Sequence, residues 1–97
     1  MGYGPKVVLH APLKNSEALE PFVEDCLRDQ VVVIAVIGDG CEQIEDLIDW
    51  IVIGDGSDPT RFINTTSHPG EAIDDVIRFL MTFTSEDGRE GVQQVTL

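Results

Sequence analysis

Apolar residues along the chain fall into two kinds of pattern. Some form short unbroken runs, and others recur every three or four positions over longer stretches. Val7-Val8-Leu9, flanked by Lys6 and His10, reads as a strand over 6–10 that ends at Ala11-Pro12. Over 16–29 the residues Leu19, Phe22, Val23, Cys26 and Leu27 make one helical stripe. Pro21 either disturbs this helix or lies in its first turn, where a missing N–H costs nothing. The β-branched run 31–37 has the signature of a strand buried on both faces, and Gly38-Asp39-Gly40 ends it. A second helix is expected over 41–53, with Ile44, Leu47, Ile48 and Ile51 inward and Gly54 as its stop. Its last four residues would also suit a strand, but the spacing stays in phase through Ile51. A third strand follows over 61–66, a third helix over 69–84 with Pro69 at its start, a turn at 87–91 and a last strand over 92–97. The tetrapeptide Ile-Gly-Asp-Gly occurs at 37–40 and 53–56 with unlike flanks, which marks two similar turns and no repeat.

Strands that alternate with helices in this way predict a single α/β domain over 1–97. The expected form is a small three-layer βαβαβαβ sandwich, a Rossmann-like half with a four-stranded, mainly parallel sheet. The apolar second and first strands suit the centre, and the mixed third and fourth suit the edges. With right-handed crossovers, order 3-2-1-4 satisfies this, with helices one and two on one face and helix three on the other. Order 2-1-3-4 ranks second, because it leaves the most apolar strand at an edge.

Charge narrows the list of partners. Eighteen acidic residues against six basic ones give a net charge of -12. That field repels phosphate, so nucleic acid and anionic membrane are not expected as partners. The 42 % hydrophobic content is too high for a disordered acidic tail. The N-terminus lacks a signal-peptide pattern, the longest apolar run is too short to span a bilayer, and two cysteines make no disulfide framework. A cytoplasmic protein is expected.

In such sheets ligands sit beyond the carboxyl ends of the strands. That rim would hold His10, Asp39, Cys41 and His68, the candidate catalytic residues. Cys41 opens a helix, which favours a thiolate, and a rim histidine could serve as its base. The flanking Asp39 and Glu42 oppose that activation. His10, Cys41 and His68 are also the candidate metal ligands, with Asp39 as a fourth, although no local pair fixes two of them. Thr65, Thr66 and Ser67 could hold a small polar ligand. More often such hydroxyls satisfy backbone N–H groups where a strand gives way to a helix. Gly38-Asp39-Gly40 follows a strand and opens a helix, but Gln43 replaces the third glycine of a dinucleotide fingerprint and acids face the phosphate position. No cofactor is expected.

The third helix has the widest apolar arc. Ile73, Ile77, Leu80 and Met81 extend the stripe of Ala72, Val76, Phe79 and Phe83 over roughly half its circumference. These four form the expected interface of a homodimer. Trp50, beside the stripe of helix two, is expected at the boundary of the core. The acidic stretch from Glu42 to Trp50 resembles the Trp-bearing helix of the barstar family of ribonuclease inhibitors. The resemblance covers that helix only, and the strand at 31–37 departs from the family's pattern. It implies an acidic surface that captures a basic protein. The leading expectation is a non-catalytic, homo-oligomeric interaction or small-ligand-binding module. A small enzyme or metal site on the rim and an inhibitor-like acidic protein are the alternatives.

Overall fold

The computed structural model describes residues 2–83 and 91–97. Four strands, β1 (Lys6–Ala11), β2 (Val33–Gly38), β3 (Asn64–His68) and β4 (Val92–Thr96), form one sheet in the order β3-β2-β1-β4. All three pairings are parallel, with Leu9 opposite Val36 and Val95, and Ile37 opposite His68. Three helices, α1 (Leu19–Arg28), α2 (Cys41–Ile53) and α3 (Ile73–Leu80), complete the α/β domain. The expected strand order is the one observed, and the three expected helices are present among the described residues. Among the described residues no helix is long and apolar enough to cross a membrane.

Alternation along the strands feeds two cores. Val7, Leu9, Ile34 and Val36 point to one face, where they meet Phe22, Val23 and Cys26 of α1 and Ile44, Ile48 and Val52 of α2. Val8, Val33, Ala35 and Ile37 point to the other, beneath Val76 and Leu80 of α3. The central strands are therefore buried on both sides, as a continuous β-branched run implies.

Local chemistry explains where elements begin and end. Asn15 accepts the backbone N–H of Glu17 and starts a 3-10 turn, Ser16–Ala18, that leads into α1. Pro21 is the third residue of α1, within the first turn, so no helical hydrogen bond is lost. At Gly38 φ is +95°, and an added Cβ would lie 2.2 Å from the carbonyl oxygen of Ala11. Only glycine fits where the chain leaves β2 against the end of β1.

Several boundaries differ from expectation: α1 starts at Leu19, three residues late, after the 3-10 turn, β2 starts at Val33, two residues late, and both ends of β3 and α3 shift. β3 starts at Asn64 and runs to His68, because pairing with β2 continues through Ile37, and an edge strand tolerates polar residues. The helix expected from Pro69 starts at Ile73. Gly70 adopts φ +72° and Glu71 N–H bonds to the His68 carbonyl, so residues 69–72 turn before they coil. Its helical residues end at Leu80. The turn expected at 87–91 lies, but for Gly91, outside the described residues.

Candidate functional site

The strand-end rim exists, but its candidates do not converge. His10 lies on the α3 face of β1 and its Nε2 is 2.8 Å from Gln94 Oε1 on β4. Cys41 points the other way, into the core under α1 and α2, and is 1 % exposed. A helix start does place it near free amides, but it belongs to the buried apolar cluster of that face. Cys26 is buried in the same core, where burial first and the charges of Asp29 and Asp25 next push its pKa up to about 12. Asp39 is exposed in the turn after β2. Among the described residues no group of three or more His, Cys, Asp and Glu is placed to hold a metal. Cys41 takes the α1–α2 face, whereas His10 and His68 share the α3 face but stand on either side of Ile37, with β2 between them, and each is bonded to its own neighbours.

The same alternation splits the hydroxyl cluster. The Thr65 hydroxyl donates to the Asp49 carboxylate on the α2 face. Thr66 lies on the α3 face, where its Oγ1 is 2.8 Å from His68 Nε2. His68 Nδ1 in turn is 2.9 Å from Glu71 Oε2, and Phe79 packs against the ring at 5.0 Å between centroids. A carboxylate oxygen only accepts, so Nδ1 carries a proton in that bond, and in the neutral ring Nε2 accepts from the Thr66 hydroxyl. The buried histidine thus joins β3 to the turn before α3. The link to Glu71, three residues on, was missed in the sequence; the His-Pro-Gly-Glu spacing across a tight turn is the signal for it.

A cavity of about 400 Å³ lies between two glycine turns, lined by Gly38, Asp39, Gly40, Cys41, Glu42 and Glu71 among others. Gly40 caps α2 without a side-chain hydrogen bond, which leaves amides available there. The three carboxylates around it oppose any anion those amides would attract.

Arg61, read in the sequence only as the start of a strand, has a larger structural part. Its Nε donates to the Val52 carbonyl at 2.9 Å and its Nη2 to the Ile51 carbonyl at 2.9 Å. Its Nη1 and Nη2 also grip both oxygens of Glu24 on α1, at 3.0 and 2.8 Å. One guanidinium therefore caps α2 and ties it to α1. That hydrogen bond holds the Glu24 carboxyl below its ordinary range.

The surface of α2 departs furthest from expectation. Trp50 is 72 % exposed, and Leu47 and Ile53, three residues to either side, are more than half exposed. The buried stripe is Cys41, Ile44, Ile48 and Val52, which turns Trp50 almost directly away from the core. Phe62, in the lead-in to β3, is 68 % exposed. Acids Glu42, Asp46 and Asp49 flank the row, and α2 has no basic residue. On α3 the expected dimer residues separate. Leu80 is fully buried against the sheet, so it cannot serve an interface; Ile73 and Ile77 are half-buried, and Met81 is exposed.

The chain belongs to the family described as domain of unknown function DUF7684, whose model matches residues 6–97. No curated protein and no solved structure matches it.

Proposed function

We propose that this chain is a non-catalytic interaction domain that captures a basic protein through α2. The observation that carries this reading is the exposed row Leu47, Trp50 and Ile53 set among carboxylates. Covering a side chain of this kind contributes about 1.5–3 kcal/mol, and Trp is a frequent anchor of binding energy. The acids around the row favour a partner with Lys or Arg beside its apolar centre and speed the encounter. They also repel a second copy, so α2 is not a self-pairing surface. Self-association through α3 is the weaker reading, since Leu80 is spent on the chain's own core. We take the setting to be the cytosol, where free Cys26 and Cys41 stay reduced.

Trp50 is the chain's one tryptophan, so its fluorescence reports the surface directly. A synthetic amphipathic peptide rich in Lys and Leu should shift the emission to the blue and bind less tightly as salt rises. A matched Glu and Leu peptide should do neither. Trp50→Ala, with an unchanged circular dichroism spectrum, should weaken binding about tenfold or more. Equal response to both peptides, or undiminished binding by Trp50→Ala, would overturn the reading.

A further inference from the structure

We infer that the partner contributes an extended segment that adds to β3 as a fifth strand, with basic residues at alternate positions. This rests on the interaction reading above and specifies how part of the partner binds. β3 is an edge of the sheet. The Asn64 N–H bonds to the Val32 carbonyl, so strand alternation turns the backbone of Asn64, Thr66 and His68 toward β2. The N–H and C=O groups of Thr65 and Ser67 then face outward, and no strand among the described residues pairs with them. Natural edges are usually blunted by Lys, Pro, a bulge or a covering element. The sequence Asn-Thr-Thr-Ser-His has no Lys or Pro, and each of its residues pairs in register with β2.

The neighbouring helix says which segment would fit. Thr65 is bonded to Asp49, so that flank of α2 lies beside the edge. Helical spacing puts Glu42, Asp46 and Ile53 on the same flank. From Glu42 to Ile53 the helix rises about 16 Å. Side chains on one face of an added strand are spaced about 7 Å apart, so three of them would run along this flank. Two would lie beside carboxylates and suit Lys or Arg. The third would reach Ile53 and suit an apolar residue. A second copy paired through β3 would bring two acidic flanks together, which disfavours it.

The test uses the full chain and a short synthetic peptide that alternates Lys with Thr and carries one terminal Leu. Its binding should slow hydrogen exchange of the Thr65 and Ser67 amides about tenfold, as expected for newly bonded edge groups. Methylating the peptide nitrogens that face β3 should abolish this protection, whereas methylating the alternate set should not. Ser67→Pro removes an outward donor and should weaken binding about tenfold; the methylated peptides test the same bonds without touching the fold. A blue shift of Trp50 without protection of Thr65 and Ser67 would overturn strand addition and leave the α2 reading standing. Protection that rises with protein concentration alone would show a second copy and overturn the basic partner at this edge. No binding of any basic peptide would overturn both.

Discussion

The two helical faces of this sheet divide their apolar residues in opposite ways. Among the described residues α3 is the one helix on its side, and the middle of its hydrophobic arc is spent on the sheet. Val76 and Leu80 are buried and Ile73 and Ile77 half-buried, while Phe79 at the margin and Met81 past its last turn stay exposed. α2 shares its side with α1 and has apolar residues left over, Leu47, Trp50 and Ile53, which point to solvent. A wide apolar arc is therefore no measure of an interface. A helix that must cover a sheet by itself needs such an arc, whereas one packed beside a neighbour can spare residues for a partner.

The contrast breaks most visibly if Leu80 and Trp50 are exchanged in importance. Leu80→Ala should destabilise the chain by about 2–5 kcal/mol, because a buried leucine leaves a cavity that closes only in part. Trp50→Ala should stay within about 0.5 kcal/mol, as for most surface substitutions. Chemical denaturation of both variants checks this. A stable Leu80→Ala protein with altered self-association would restore the expected dimer surface instead.

His68 tests how the α3 face is held together. Its ring bridges Thr66 and Glu71 and packs on Phe79. His68→Ala would leave the Thr66 hydroxyl without its partner and empty a buried position. A loss of about 1–3 kcal/mol is expected, below that of Leu80→Ala. Denaturant midpoints measure it, and Trp50 fluorescence in the folded state should not change, since Trp50 belongs to the other face.

Sequence pattern made the architecture legible to the level of strand order, because burial on both faces leaves a direct mark on composition. Val33 to Ile37 can be continuous only at the centre, and Asn64 to His68 can be polar only at an edge. The rotation of α2 was harder to see. Leu47 and Val52 both fit an apolar stripe, and the choice between them depends on how α1 packs beside the helix. The rim candidates failed for another reason. Topology assigns residues to an end of the sheet, but the turn Gly38–Gly40 sends Cys41 to one face, and the strand residues His10 and His68 on the other are held apart by β2. Arg61 left no local signal, since its partners Glu24, Ile51 and Val52 are brought to it only by the fold.

A pH-dependent difference sharpens the comparison at the seam between α1 and α2, which among the described residues has no counterpart under α3. Arg61→Ala should lower the denaturation midpoint by less than Leu80→Ala and more than Trp50→Ala, since it removes both the cap of α2 and the Glu24 pair. These two parts separate by pH. The Arg61 hydrogen bond holds the Glu24 carboxyl below its ordinary value, so the pair stabilises the fold above the unfolded glutamate range of about 4.3. That contribution is lost as pH falls through the lowered folded value. The bonds to the Ile51 and Val52 carbonyls do not titrate. The gap between wild type and Arg61→Ala should therefore narrow on going from neutral pH to below that range, without closing. Denaturant midpoints at the two pH values decide the point. A gap independent of pH would assign the whole role of Arg61 to capping α2, and a gap that vanishes in acid would assign it to Glu24.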